Sequence, residues 1–235
     1  MDTFKDKAIW EANADFWDAY MGDHSNAFHR EIVRPLVEKL LQVQPGDYIL
    51  DIACGTGNFS ARMAEQGAEV VAFDFSERMI EHAKRRRRAL LDRITFSVCD
   101  AADYDSLLTL KTDRKFNKAV SLMAIMDIAH IEPLFKAVAE LLCPGGIFVF
   151  ATHHPCFQRP TDKYLTSCLH KGEAIRGQPV LQNYYHRPLQ TIFNLCFDNG
   201  FVIDGFYERE DNDDELPVIM VVRARKPIFS TSRAK

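Results

Sequence analysis

The 235-residue sequence lacks an excess of charge of either sign, long hydrophobic runs and a leader-like N-terminus. Its 29 lysine and arginine residues face 33 acidic ones, which leaves a formal net charge of −4. A protein that binds nucleic acid is usually basic, so this balance argues against such a partner. The apolar runs are shorter than the roughly 20 residues needed to cross a bilayer. No secretory signal is recognised at residues 1–7, and a cytoplasmic protein without membrane contact is predicted.

Closely spaced cysteines are also missing. The six cysteines contain no CxxC pair, so neither a zinc site nor a redox pair is predicted, and no metal is expected. The hydrophobic fraction of 47% and the charged fraction of 26% are typical of globular proteins. Collagenous and disordered chains are therefore excluded.

From residue 46 onward the sequence alternates short apolar runs with helical patterns. The runs are nearly continuous, which is typical of strands buried on both faces of a parallel sheet. Helices are predicted at Asn58–Gln66, after the capping residue Ser76, and at Glu132–Leu142. Strands are predicted at Tyr48–Ala53, Glu69–Phe73, Ile94–Val98, Ala119–Met123 and Ile147–Ala151. This alternation predicts an α/β, doubly wound sheet with right-handed crossovers.

The C-terminal part departs from this alternation. A predicted helix at His186–Asn199 is followed by strands at Phe201–Phe206 and Pro217–Ala224, and no helix fits between them. These two strands should therefore pair antiparallel. The segment 153–185 has three prolines and no clear period, and it is interpreted as an insertion over the functional site.

The domain organisation follows from these patterns. Residues 1–45 have a helical pattern with aromatic side chains on one face, and are predicted to form an N-terminal helical lid. Residues 46–227 are predicted to form the main domain, and residues 228–235 a loose tail.

A glycine-containing loop follows the first predicted strand and opens a helix. Gly55 and Gly57 stand where the backbone must turn tightly and approach a ligand closely. Asp74 ends the second strand, at the position where a carboxylate accepts both hydroxyls of a ribose. Ser60 stands where a dinucleotide fingerprint would have its third glycine. The spacing therefore predicts a nucleoside-type cofactor at the carboxyl ends of the strands.

Four motifs, in this order and at this spacing, resemble those of class I S-adenosylmethionine-dependent methyltransferases. The resemblance covers about residues 46–152 and implies a Rossmann-like seven-stranded sheet that is mostly parallel, with an antiparallel last strand. The antiparallel pair inferred at the C-terminus agrees with it. The motifs are Asp51-Ile52-Ala53-Cys54-Gly55-Thr56-Gly57, Phe73-Asp74-Phe75-Ser76 with Met79, Cys99-Asp100-Ala101, and Leu141-Leu142-Cys143-Pro144-Gly145-Gly146.

The resemblance also implies a cofactor, S-adenosyl-L-methionine with S-adenosyl-L-homocysteine as product, and a set of binding residues. Asp51 would order the glycine loop and the methionine amine. Asp74 would bind the ribose hydroxyls with Phe75 against the adenine, and Asp100 would accept from the adenine amino group. The remaining implied contacts are Ala53, Gly55, Gly57, Ala101, and, beside the sulfonium, Leu122 and Met123.

N-terminal segments of this family often cover the cofactor. Tyr20, His29 or Arg30 could meet its carboxylate, and ordinary surface or packing roles are the alternative.

Two histidines are candidates for proton transfer. His153 and His154 follow the fifth predicted strand and therefore open at the same crevice as the cofactor. The alternative is that they only shape the pocket. Asp127 and His130 could share a helix face, although capping of the following helix by Asp127 is the simpler interpretation.

Four consecutive arginines, Arg85 to Arg88, suggest nucleic-acid binding at first sight. They fan around a helix end, where cations interact favourably with the helix dipole, and a solvated helix end is the preferred interpretation.

The function hypothesis is methyl transfer from S-adenosylmethionine to a small-molecule acceptor by in-line SN2 attack. Two alternatives keep the cofactor: a non-catalytic sensor or scaffold that binds it, and a protein or RNA methyltransferase. A nicotinamide-dependent oxidoreductase is a third alternative, but it would prefer glycine at position 60 and would leave the C-terminal strands unexplained.

Overall fold

A seven-stranded sheet forms the centre of the computed structural model, which describes residues 3–157, 163–210 and 215–228. The strands are β1 (Tyr48–Ile52), β2 (Glu69–Asp74), β3 (Ile94–Val98), β4 (Phe116–Leu122), β5 (Leu142–His153), β6 (Cys168–Gly172), β7 (Gln182–His186), β8 (Val202–Arg209) and β9 (Ile219–Arg225). The order in the large sheet is β3-β2-β1-β4-β5-β9-β8. The first five strands pair in parallel, and β9 pairs antiparallel with both β5 and β8. The predicted fold class is confirmed.

Helices cover both faces of this sheet. They are α1 (Thr3–Met21), α2 (Arg34–Leu41), α3 (Asn58–Glu65), α4 (Glu77–Arg86), α5 (Tyr104–Leu108), α6 (Glu132–Leu141) and α7 (Leu189–Asp198). A π-helical segment at Phe28–Val33 precedes α2. As predicted, the Ser76 hydroxyl caps α4 by accepting from the Met79 N–H at 3.0 Å.

Two hydrophobic cores lie on opposite faces of the sheet. On β5, Phe148 and Phe150 belong to one core, whereas Val149 and Ala151 belong to the other. Successive side chains of a strand point to opposite faces, so a strand covered on both sides needs an uninterrupted apolar run. This is why the apolar runs located the strands.

The segment 153–185 has more structure than the sequence predicts. It contains β6 and most of β7, which pair antiparallel as a separate two-stranded sheet from Cys168↔His186 to Gly172↔Gln182. Both strands are short and rich in polar residues, so they do not produce the apolar pattern by which the other strands were predicted. β7 packs against α1, and β6 is held by its pairing with β7.

The arginine run is a solvated helix end only in part: Arg85 and Arg88 are exposed, whereas Arg86 is half-buried and Arg87 is buried. Arg85 and Arg86 of α4 both pair with Asp18 of α1, with Arg85 Nη2 lying 2.6 Å from Asp18 Oδ2. Arg87 is buried and donates to Asn58 Oδ1 at 2.9 Å. The sequence could not show this because the partner helix lies more than sixty residues away.

In the described part of the chain, no helix is long and apolar enough to cross a membrane. The predicted tail lies, except for Ile228, outside the described residues, as do residues 211–214 between β8 and β9.

Candidate active site

A cavity of about 620 Å³ opens at the carboxyl ends of the parallel strands. This volume lies in the range of small-ligand sites. Its floor is the glycine loop after β1 and the ends of β2 to β5, and its walls include residues of α1 and of the β6–β7 segment. Ligand sites of open α/β sheets occupy this place.

The structure brings most of the sequence-predicted site residues together in the cavity wall. Of that set, Gly57 and His154 do not line the cavity. Those that do are Tyr20, His29, Asp51, Ala53, Gly55, Asp74, Phe75, Asp100, Ala101, Leu122, Met123 and His153.

The two loop glycines serve different purposes. Both have a positive φ, 54° at Gly55 and 70° at Gly57. A Cβ on Gly57 would lie 2.8 Å from the ring of Phe96, whereas a Cβ on Gly55 would have no neighbour within 4 Å. Gly57 therefore permits close packing behind the loop, and Gly55 keeps the cavity side open.

His154 is turned away from the cavity. It is buried, its Nε2 lies 2.9 Å from Glu208 Oε1, and its Nδ1 accepts from the Cys156 N–H at 3.1 Å. His153 lines the cavity instead, because neighbouring residues at the end of a strand point to opposite faces. Of the two candidate bases, only His153 reaches the site.

Two buried carboxyl groups hold the loops at the ends of β1 and β2. Asp51 accepts from the Ser60 hydroxyl at 2.5 Å, and burial raises the pKa of Asp51 to about 7. Asp74 accepts from the N–H groups of Gly55 and Ser76, each at 3.0 Å, and burial raises the pKa of Asp74 to about 6. Ser60, the departure from the dinucleotide fingerprint, is therefore a donor to one of these acids.

The backbone turns sharply where two neighbouring strands reach the cavity. Ala53 after β1 and Met123 after β4 have φ values of 53° and 50°, which non-glycine residues rarely adopt. A hydrogen bond from the Met123 N–H to the Ala151 oxygen at 2.8 Å helps to hold the second turn. Such strain of about 1–3 kcal/mol per residue is concentrated at ligand sites.

The N-terminal candidates separate into cavity and surface residues. His29 lines the cavity, its Nδ1 lies 2.8 Å from Asn26 Oδ1, and burial lowers the pKa of His29 to about 4. Arg30 is exposed and pairs with Glu31, so it does not reach the cavity. Arg34, which sequence reasoning missed, is the one lysine or arginine among the described lining residues. No motif could have identified it.

Asp127 does not cap the following helix, and that interpretation was wrong. Its carboxylate lines the cavity and accepts from Gln182 Nε2 at 3.0 Å, and burial raises the pKa of Asp127 well above its ordinary value. His130 is exposed and does not line the cavity. The partner Gln182 comes from β7, which the sequence did not reveal.

Other lining residues that sequence reasoning did not assign to the site come from α1 and the β6–β7 segment. The aromatic spacing of the N-terminal helix was the available signal for the tryptophans. These residues include Asp6, Trp10, Trp17, Glu173, Ile175, Gln182 and Tyr184.

Comparisons with known proteins agree with this geometry. The sequence is 36% identical over 124 residues to a demethylmenaquinone methyltransferase of Clavibacter sepedonicus, covering 51% of this chain and 48% of the relative. It is 31% identical over 145 residues to phosphoethanolamine N-methyltransferase 1 of Zea mays, covering 60% and 27%. Thus the matches span about half or less of these relatives' lengths.

A solved S-adenosylmethionine-dependent methyltransferase from Mesorhizobium loti is 27% identical with a TM-score of 0.69, covering 85% of this chain and 98% of that one. The family model described as a methyltransferase domain matches residues 44–191, which is more than half of the chain. The chain therefore belongs to the methyltransferase domain family, and its resemblance to class I S-adenosylmethionine-dependent methyltransferases is confirmed.

Proposed function

We propose that this chain transfers a methyl group from S-adenosylmethionine to a small organic acceptor, which attacks in line with the breaking bond. The observation that carries the proposal is the covered cavity of about 620 Å³ at the carboxyl ends of the strands. Because α1 and the β6–β7 segment contribute to its walls, the cavity suits a small acceptor better than a protein or RNA surface.

The residues around one end of the cavity suit the chemistry of this cofactor. Asp74 offers carboxylate oxygens for ribose hydroxyls, with Phe75 beside it for the adenine. The Asp100 carboxylate, which already accepts from the Ala102 N–H at 2.8 Å, would accept from the adenine amino group. Asp51 would order the amine end, and Arg34, which has no partner among the described residues, offers a cation for the carboxylate.

The cofactor would supply a methyl group that its positive sulfur already activates. The remaining task of the protein is alignment of the acceptor and exclusion of water. Trp10 and Trp17 of α1, whose ring centroids lie 5.2 Å apart, place apolar surface over the cavity. Residues 1–45 would thus act as the predicted lid.

His153 is the proposed contact to the acceptor. Burial lowers its pKa to about 4, so the imidazole is neutral near pH 7 and has a lone pair available as a hydrogen-bond acceptor. It makes no hydrogen bond to the described residues, and its ring packs against Tyr184 at 5.5 Å.

Calorimetric titration of the purified protein with S-adenosylmethionine tests the proposal, with a reduced nicotinamide cofactor as control. We expect saturable binding of the former only. Asp74→Ala should weaken that binding about tenfold or more, since charged hydrogen bonds contribute about 1.5–3 kcal/mol. Asp113→Asn, an exposed carboxylate away from the cavity, is the matched control. Binding of the nicotinamide instead would contradict the proposal.

A non-catalytic binding protein would share this titration result. Turnover distinguishes the two functions. The measurement is transfer of an isotopically labelled methyl group from S-adenosylmethionine to a panel of small acceptors.

A further inference from the structure

At the end of the cavity next to β4 and β5, three polar side chains keep hydrogen-bonding capacity that the described residues do not satisfy. Asp127 follows β4, His153 ends β5, and Tyr184 lies on β7, so three separate elements bring them together. In the sheet order, β4 and β5 lie on the opposite side of β1 from β2 and β3, whose ends carry the proposed nucleoside contacts. This end is therefore where the acceptor would bind.

Tyr184 is the most informative of these groups. It is only 3% exposed, yet its hydroxyl makes no hydrogen bond to the described residues. Its ring packs between His153 and His170, at centroid distances of 5.5 and 5.3 Å. A Cβ on Gly172 would lie 2.7 Å from this ring, so glycine leaves the space that the tyrosine occupies. A tyrosine held this firmly, whose hydroxyl has no hydrogen-bond partner among the described residues, indicates a ligand.

Asp127 is also held in a fixed position. Gln182 donates to one carboxylate oxygen, and no described residue donates to the other. The guanidinium of Arg187 fixes the surrounding loop by donating to the carbonyl oxygens of Ile128 at 2.6 Å and Ala129 at 2.8 Å. The Arg187 guanidinium therefore bonds to backbone and does not pair with Asp127. Asp127 has no cationic partner among the described residues.

The charged residues in the cavity wall near Asp127 indicate the class of ligand. Asp6 and Glu173 join Asp127 in the cavity wall, and the single lysine or arginine of the described wall, Arg34, belongs to the N-terminal helical segment. An anionic acceptor would meet three carboxyl groups here. A cationic one would instead offset the desolvation of Asp127, whose pKa burial raises well above its ordinary value.

We propose that the methyl acceptor is a small amine with an apolar body, whose nitrogen is held between Asp127, His153 and Tyr184. This inference rests on the proposed function and names its substrate class. Trp10, Trp17 and Phe157 provide aromatic wall for the apolar body. The reaction is then N-methylation.

The proton balance follows from the groups present. The bound ammonium transfers one proton to the Asp127 carboxylate, which leaves a neutral amine beside a neutral carboxyl group. The amine lone pair forms a bond to the methyl carbon, the carbon–sulfur bond breaks, and its electron pair stays on sulfur. The methylated nitrogen departs as an ammonium ion, and Asp127 releases its proton to water.

Calorimetry on the protein saturated with S-adenosylhomocysteine tests this with three probes of similar size: benzylamine, benzyl alcohol and benzoate. We expect benzylamine to bind at least about tenfold more tightly than the other two. Equal affinities, a preference for benzoate, or no measurable binding of benzylamine would overturn the inference.

Two variants identify the residues responsible. Asp127→Asn keeps an oxygen for Gln182 but loses the charge, and should abolish the preference for the amine while leaving affinity for S-adenosylhomocysteine unchanged. Tyr184→Phe should weaken benzylamine binding, and Asp113→Asn should alter neither. A preference for the amine that survives in Asp127→Asn would contradict the assignment.

The two proposals fail in distinguishable ways. A wild-type protein that does not bind S-adenosylhomocysteine contradicts the methyltransferase proposal, and the amine site with it. Binding of S-adenosylhomocysteine with preference for benzoate contradicts the amine site alone.

Discussion

Asp51 and Asp74 are carboxyl groups on adjacent strands that hold the proposed cofactor loop, and both are buried. Burial disfavours a charged carboxylate, so each has a raised pKa in the folded chain. In the unfolded chain both return to ordinary values. These residues therefore make stability depend on pH in a direction opposite to that of a paired surface acid.

The pH dependence can be measured with Asp51→Asn. Between the ordinary value of 3.8 and the folded value of about 7, Asp51 is protonated when folded and ionised when unfolded. Its contribution is fully present below pH 3.8 and is lost as pH rises toward 7, by at most roughly 1.4 kcal/mol per pH unit. The variant should show a shallower decline of unfolding free energy in urea titrations at about pH 5, 6 and 7. Equal slopes would contradict the buried protonated state.

The two glycines of the loop after β1 should respond differently to substitution by alanine. Gly57→Ala should cost about 2–4 kcal/mol of unfolding free energy, since it adds a collision with Phe96 to the strain of a positive φ. Gly55→Ala should cost only about 1 kcal/mol but weaken binding of S-adenosylmethionine, because its methyl group projects into open space beside the cavity. Denaturant unfolding and calorimetry separate the two effects. Equal losses of stability would contradict this assignment.

At the scale of elements, α1 is held in place from both ends. Asp18 pairs with Arg85 and Arg86 of α4, while Asp6 accepts from Tyr185 Oη at 2.8 Å and thereby joins α1 to β7. α1 is thus fixed to α4 and to β7 by charged and polar contacts. Charged contacts of low exposure matter more than surface ion pairs.

Asp18→Asn should loosen α1. The Asp18 side chain is 7% exposed. Removing its charge leaves Arg85 and Arg86 without their main partner, which should lower the free energy of unfolding by about 2–4 kcal/mol. Hydrogen exchange should rise in α1 before it rises in the central strands. Lys7→Gln, which breaks the exposed pair with Glu77, should change exchange little. Comparable effects of the two variants would contradict a specific role for Asp18.

At the scale of the whole molecule, the cavity lies where the two hydrophobic cores, α1 and the β6–β7 segment meet. The strands that form its floor belong to both cores, so ordering of the floor is coupled to global folding. A ligand that binds only the folded chain must therefore raise its melting temperature.

S-adenosylhomocysteine at a hundredfold excess over its Kd should stabilise the chain by about 2.7 kcal/mol. For a protein of this size that corresponds to a Tm increase of roughly 5–10 °C, measured by differential scanning calorimetry. A reduced nicotinamide cofactor at the same concentration should leave Tm unchanged. The reverse pattern would contradict the cofactor assignment.

Local features of the sequence determined the large sheet and the floor of the cavity. Continuous apolar runs identify strands buried on both faces, and the loop with Gly55 and Gly57 between two such strands, followed by Asp74, marks a nucleoside site. Each signal lies within a short stretch of chain. Parallel strands bring their carboxyl ends to one edge of the sheet, which accounts for ten of the twelve predicted residues that line the cavity; Tyr20 and His29 come from the N-terminal segment.

Contacts between distant segments decided the rest. Whether Asp127 caps a helix or meets Gln182, and which arginines of the run meet Asp18, depends on elements more than fifty residues away. His153 and His154 are equivalent in the sequence, and only the orientation of the strand end sends one into the cavity and the other toward Glu208. The walls of the site, and with them the inferred acceptor chemistry, exist only because folding brings α1 and β7 to the cavity at the carboxyl ends of the strands.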